Sequence, residues 1–238
     1  ARSLSYLKED DTFNIVIADS KLTSMAEKPL NKNKNSSKIA RMFLDSKDYN
    51  GSYIKYDAFD IISKITPYFD TKKENVVILI TDGNNLNSIR HHKDDILTLA
   101  SSSVSNISIF TASASQHNNL DMLDLLSTFN KGETMYAKTI VSFPRKLSVF
   151  IKHIRHCLAK DIQLNIINPD GNAKIELYPN EQALPSLYLD KPYMVYGTIK
   201  ELTDFDIIIQ GKAAHHWINL KQHVTFKKLG PILAAPPI

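Results

Sequence analysis

Hydrophobic and polar positions along this chain follow two regimes, and the change between them falls near Lys160. Before it, short apolar runs alternate with stretches whose apolar residues recur at helical spacing. The sharpest run is Val76–Ile80, unbroken and mostly β-branched, within Glu74–Asn85 (ENVVILITDGNN). Such a run predicts a strand buried on both faces, as in a parallel sheet with helices on each side. Thr81, Asp82, Gly83 and Asn84 follow at once, so the C-terminal end of the strand breaks directly into a loop. In open α/β sheets that edge is where ligands bind. An Asp-Gly pair equally serves as a plain turn or helix cap.

The other elements take their places around this strand. Ala1–Glu9 reads as the back half of a helix, with Leu4 and Leu7 at helical spacing. Asp11–Asp19 (DTFNIVIAD) alternates like a strand, and Leu22–Met25 reads as a short edge strand. A polar loop leads to Ser36–Ser37, which predicts a capped helix over Lys38–Leu44. Asn50–Tyr53 forms a turn, and Ala58, Ile61, Ile62 and Ile65 make one face of a helix from Ile54 to Tyr68. Lys93–Ser101 reads as a helix and Asn106–Ala112 as a strand, with the polar loop Ser113–Asn119 after it. Asn119 is placed to cap the helix Leu120–Phe129, and Gly132 to stop it. Glu133–Ala137 is a short strand, and Ser142-Phe143-Pro144 opens a helix to Ala159, with proline in its first turn. Strand and helix in this alternation argue for βαβ units.

After Ala159 no helical period appears. Asp161–Ile167, Ala173–Tyr178, Tyr193–Ile199, Asp206–Gln210 and His216–Phe226 are short and alternating, and Asn168–Asn172 carries a strong turn signal. The expected architecture is α/β, a doubly wound and mainly parallel sheet over residues 1–159. An antiparallel β-sandwich over 160–229 and a tail or linker over 230–238 follow it.

Composition narrows the function classes only a little. With 238 residues, 43% hydrophobic and 23% charged, the chain can bury a sizeable core. The net charge of +4 is spread along it, and the run Asn31–Lys38 (NKNKNSSK) reads as a solvated loop, which makes nucleic acid a poor partner. No stretch has the apolar length of a membrane span, and no signal-peptide pattern is present. Cys157 is the sole cysteine, which excludes an internal disulfide and a cysteine metal cluster. Secreted, cell-surface and cytoplasmic placements all fit.

Other chemistry is thin. His91–His92 and His215–His216 are adjacent pairs, which on a strand point to opposite faces, so solvated or packing roles are expected for them and for His223. Asp204 and Asp206 share a face and are expected at a solvated hairpin. Ser113-Ala-Ser115 lacks the glycine-flanked elbow of a nucleophile. On a helix His153 and Cys157 would share a face, although a packing cysteine is the plainer reading. Trp217 reads as a core residue of the sandwich.

Residues Ala1–Leu229 resemble a von Willebrand factor type A domain followed by a β-rich segment. The likeness is carried by the order of several stretches: Asp11–Val16 as the second strand, Gly51–Ala58 as the turn that opens a large helix, and Val76–Gly83 as the strand ending in Asp-Gly. Tyr178–Tyr188 (YPNEQALPSLY) and Met194–Gly197 are similar to the β-rich segment of inter-alpha-trypsin inhibitor heavy chains. The resemblance implies a divalent cation, Mg²⁺, held by an Asp-x-Ser-x-Ser loop, a threonine and a later aspartate. Here Asp82 matches the last of these, Tyr53 stands at the threonine position beside Ser52, and no Asp-x-Ser-x-Ser occurs. The metal site is therefore expected to be absent or degenerate, with Asp82 a ligand only if that motif lies upstream. The resemblance also implies a central strand between the Phe13 and Val76 strands, supplied by an upstream segment or a second chain.

The expected function is a non-enzymatic, adhesion-type protein-interaction module. Its binding surface is expected at Asp82, Gly83, Asn84, Ser52, Tyr53, Ser115 and Gln116, with a protein partner the sequence does not name. Two alternatives stand beside it. One is a targeting or scaffold region of a larger effector or enzyme whose catalytic part lies outside this chain. The other is a polyanion-binding module using Lys32–Lys38 and the helix Arg145–Arg155.

Overall fold

The structure is a computed structural model. It describes residues 2–47, 56, 58–70, 73–84, 107–114, 116–168, 175–178, 184–194, 196–199, 203–213 and 216–225. Two compact units emerge. The first is Ala1–Leu158 with Pro185–Pro192, and the second is Ala159–Leu184 with Tyr193–Ile238.

The first unit begins with a 3-10 turn, Arg2–Tyr6, where the sequence predicts part of an α-helix. Long-range contacts hold this turn: the Ser3 hydroxyl lies 3.3 Å from that of Ser148, and Arg155 donates to the Tyr6 carbonyl at 3.4 Å. The expected strand Asp11–Asp19 is split. Strand β1 (Thr12–Phe13) pairs with β4 (Leu30–Asn31), and β2 (Val16–Ala18) pairs with β3 (Leu22–Ser24). Asn14 causes the break. Its side-chain amide donates to Ser24 Oγ and the Ala26 carbonyl, and its Oδ1 accepts from the Ile15 N–H, so the backbone turns there.

The following helix is Lys34–Asp45, longer than expected and capped by Asn33 in place of Ser36 or Ser37. Asn33 Oδ1 accepts from the Ser36 N–H at 2.8 Å, and Ser36 Oγ accepts from the Asn33 N–H at 2.9 Å. This reciprocal box, worth about 1 kcal/mol, turns most of the expected basic loop into the first turns of a helix. The helix Ala58–Ile65 carries the expected Ile62 inward, 2% exposed. The expected helix Lys93–Ser101 lies outside the described residues.

The centre of the unit is a parallel sheet in the order β5-β6-β7, with β5 Asn75–Ile80, β6 Ile107–Ala114 and β7 Thr134–Ala137. Strand β6 is buried from Ser108 to Ser113. On one face Val77, Leu79 and Ile109 pack with Ile62 and with Leu126 of the helix Leu120–Phe129. On the other, Phe110, Ala112 and Met135 pack with Tyr188 and with Phe150 and Ile154 of the helix Phe143–Ile154. Helices on both faces make this the doubly wound α/β layer the sequence predicts. Buried hydroxyls stitch it together: Thr111 and Thr134 lie 2.8 Å apart, Thr134 and Ser127 2.9 Å apart, and Ser127 donates to the Leu123 carbonyl.

Three expectations change here. Strand β5 is not buried on both faces; Val77 and Leu79 are inside, while Val76 is 40% and Ile80 58% exposed. In keeping with the expectation that another strand separates them, the β5 and Phe13 strands are not hydrogen-bonded to each other among the described residues: β5 pairs with β6 alone and the Phe13 strand with β4. The helix Leu120–Phe129 ends with Lys131 in the left-handed conformation (φ 60), its N–H donating to the Thr128 carbonyl and that of Gly132 to Ser127, a Schellman closure. Gly132 is required for a different reason: a Cβ there would sit 1.9 Å from the Ile109 carbonyl oxygen. The helix Phe143–Ile154 stops before Cys157, which opens strand β8 (Cys157–Ile167), so His153 and Cys157 share no helical face.

Strand β8 belongs to the second unit from Ala159 onward, and β10 (Leu187–Tyr188) belongs to the first. In the second unit it pairs antiparallel with β12 (Phe205–Lys212), which pairs with β13 (Trp217–Val224); β9 (Ile175–Tyr178) and β11 (Tyr196–Ile199) form a separate antiparallel ribbon. The strand registers set which residues lie opposite one another. Leu164, Ile209 and Leu220 are opposite one another on one face, while Asp206 and His223 mark the polar one. Trp217 is 62% exposed, against its expected place in the core, because its register puts it opposite Lys212 on the polar face.

Asp206 is not simply solvated either. Lys221 Nζ lies 2.9 Å from its Oδ2 and His223 Nδ1 2.7 Å from its Oδ1. Hydrogen bonds from Lys221 and then His223 hold its pKa below the ordinary carboxylate value. The stability this supplies is complete above the unfolded value of about 3.9 and is lost as pH falls through the lower folded-state value. Asp206→Asn should therefore reduce the urea midpoint at about pH 6, with the difference from wild type closing towards about pH 2. A difference constant over that range would place the effect elsewhere.

Candidate functional site

The three strands of the parallel sheet end at one rim, because they run in the same direction. The Asp82 loop after β5 and the Gln116 loop after β6 meet there. The ladder runs one step past β5, with the Thr81 N–H donating to the Ala112 carbonyl at 3.2 Å. Gly83 then takes φ +78 and donates to Thr81 Oγ1. Asp82 Oδ1 accepts from the Asn84 N–H and Oδ2 from the Asn84 side-chain amide, each at 3.1 Å. The same amide reaches across to the His117 carbonyl at 2.9 Å. The Asp82 carbonyl accepts from the Asn119 N–H at 2.8 Å, and Asn119 Oδ1 caps the next helix by accepting from Met122 N.

Two loops distant in sequence are thus stapled by backbone and side-chain bonds. Asp82, Asn84, Gln116 and His117 remain exposed on the outer side. Gly83 is buried beneath them: a Cβ there would stand 2.9 Å from the Asn119 carbonyl and 2.9 Å from Leu123 Cγ. The sequence-predicted residues Asp82, Gly83, Asn84 and Gln116 come together. Ser52, Tyr53 and Ser115 lie outside the described residues, as do His91, His92 and His215. Ser113 is 2% exposed, which removes it from any surface chemistry.

Sequence reasoning passed over the third rim loop, Lys138–Ser142. Ile140 is 73% and Val141 92% exposed. The loop is closed by local bonds, the Ser142 and Phe143 N–H groups donating to the Thr139 and Ile140 carbonyls. A signal was available: two large aliphatics between the end of a strand and a proline-opened helix have no element in which to be buried. With Ile80 at the tip of β5, they give this rim an apolar fringe beside its polar loops.

The rim's donor set is poor in charge. Among the described residues no group of three or more His, Cys, Asp or Glu side chains is disposed to hold a metal ion. Mg²⁺ demands an octahedron of hard oxygens, and both carboxylate oxygens of Asp82 already accept hydrogen bonds from Asn84.

In fold the chain is similar to the von Willebrand factor type A protein from Catenulispora acidiphila. The TM-score is 0.65 at 14% identity, over 93% of this chain and 58% of that one. This is a von Willebrand factor type A fold. The ArnB paralog VWA2 from Sulfolobus acidocaldarius is also similar, with a TM-score of 0.52 at 15% identity, over 93% of this chain and 58% of that one. The chain thus spans under two thirds of the length of either. No family model matches the sequence, and no curated protein does. No described helix is long and apolar enough to cross a membrane.

Proposed function

We propose that the chain is a non-enzymatic protein-interaction module that presents the C-terminal rim of its A-type sheet to a partner protein. The observation that carries this reading is the pairing, at one rim, of a bonded polar platform (Asp82, Asn84 and the His117 carbonyl, with Gln116 exposed beside them) with the exposed aliphatics Ile140 and Val141. A rigid polar patch next to exposed apolar side chains is the composition of a recognition surface. We take the site to work without a resident cation, since the donor set around Asp82 among the described residues does not fit Mg²⁺. The succession of an A-type domain and a β-rich segment in inter-alpha-trypsin inhibitor heavy chains is our analogy for the order of the two units.

The test is retention of partner proteins by the immobilised full chain, read by quantitative mass spectrometry. Ile140→Asp with Val141→Asp is expected to remove the specific partners, and chelation of divalent ions is expected to leave them bound. Undiminished capture by the double variant would overturn the reading. Capture that needs Mg²⁺ and is lost in Asp82→Ala would restore a cation-dependent adhesion site. Catalytic activity in a longer chain, with this region dispensable for it, would favour the targeting region of an effector.

A further inference from the structure

A second surface lies on the side of the first unit, along the edge of the sheet. Among the described residues β7 pairs with β6 alone and so ends the sheet. Between β7 and the helix Phe143–Ile154 runs an open groove of about 620 Å³. The helix contributes Arg145, Lys146, Val149, Phe150 and His153 to it, and its N-cap contributes Ser142. These are spaced three and four apart and form one stripe. Met135 and Phe150 make the buried floor, Val149 is 44% exposed, and Arg145 and Lys146 are exposed.

The charge on this groove is one-sided. Its single acid, Glu133, is already paired with Lys191 at 2.5 Å. Lys146 reaches the β7 backbone, its ammonium donating to the Tyr136 carbonyl at 3.2 Å. The Glu133 carbonyl accepts from the Thr111 N–H, on the β6 side. By the alternation of a strand, Thr134 and Tyr136 therefore turn their backbone groups to the outer edge, where Lys146 meets the second of them. A lysine reaching over an edge strand commonly does no more than discourage aggregation. Here it stands next to a second cation and an exposed aliphatic on a preformed groove, an arrangement that also fits a ligand.

We propose that this groove receives an extended acidic segment of a partner protein, laid along β7 as an added strand. Strand addition uses backbone bonds for affinity and alternate side chains for selection. Arg145 and Val149, four residues apart on the helix, are separated by about 6 Å of rise. Alternate residues on a strand are about 6.6 Å apart. An acidic residue and an aliphatic residue two positions on would therefore meet Arg145 and Val149 in turn. Lys146, displaced from the Tyr136 carbonyl by the incoming backbone, would take a second carboxylate.

The experiment is fluorescence anisotropy with the full chain and the labelled peptide Glu-Thr-Val-Thr-Glu-Thr-Val. Saturable binding is expected, weakened at least about tenfold by Arg145→Glu with Lys146→Glu and similarly by Val149→Asp. Lys73→Glu, a charge reversal outside the groove, should leave it within about twofold. The Lys-Thr-Val-Thr-Lys-Thr-Val counterpart should not bind, and N-methylation of alternate residues of the acidic peptide should weaken it about tenfold, because the backbone donors are gone. No saturable binding below about 1 mM overturns the proposal. So does equal binding of the N-methylated peptide, or of the peptide to the double-glutamate variant. Tight binding of heparin that displaces the peptide would reassign the groove to polyanions.

Discussion

Phe110→Ala is expected to lower the unfolding free energy by about 3–5 kcal/mol. Phe110 is wholly buried on the strand that both helical layers cover. Its ring meets that of Phe150 at 5.6 Å and 78°, and that of Tyr188 at 5.8 Å and 68°. Edge-on aromatic pairs of this kind add to simple burial, and alanine would leave a cavity bounded by three elements that are each fixed elsewhere. Burial also raises the pKa of the Tyr188 phenol far above its ordinary value, so its hydroxyl stays neutral inside this cluster. Urea denaturation read by circular dichroism measures the loss. Val149→Ala, on the exposed side of the neighbouring helix, supplies the comparison and should stay within about 0.5 kcal/mol of wild type. If the two variants lose equal stability, Phe110 is not at the centre of the core.

Gly83→Ala should be nearly as damaging to the fold and more damaging to the rim. The residue sits at φ +78, where a side chain is strained, and its missing Cβ leaves room for the Asn119 carbonyl and Leu123. A loss of about 1–3 kcal/mol follows from the strain and the overpacking. The displaced backbone would also release Asn84 from Asp82 and His117, so the staple between the two loops would open. Faster amide exchange at Asn84 and Asn119, beyond that produced by an equally destabilising substitution away from the rim, would report this opening. Unchanged exchange at both amides would mean that the loops hold each other by other contacts.

Several of these features were legible in the sequence, and the reasons are local. Asn119 stands directly before an apolar run at helical spacing, and its side chain caps that helix. The β-branched run before Asp82 could be read as a strand, and Asp-Gly as its end, because short-range sterics decide both. The misreadings came where a partner that the hydrophobic pattern does not name decides, whether three residues away or farther. Ser36 looked like a cap but is the return arm of a box begun by Asn33. Asn14 breaks a well-patterned strand by bonding to Ser24 and Ala26. Val76 and Ile80 look as deeply buried as Val77 and Leu79 until the neighbours of β5 are known. Trp217 was expected inside because tryptophan usually is, whereas strand register puts it outside. The rim itself was half legible. The polar residues near Asp82 announced a loop, but the exposure of Ile140 and Val141 follows from where β7 stops and the next helix begins.

If the proposed function holds, the rim is the face that meets a partner. Site-specific photo-cross-linking tests this most directly, with a benzophenone side chain placed in the full chain at Gln116 on the rim or at Lys73, just before the start of β5. Cross-links to partner protein from position 116, with position 73 silent, are the predicted result. Adducts formed from position 73 while position 116 stays silent would contradict it.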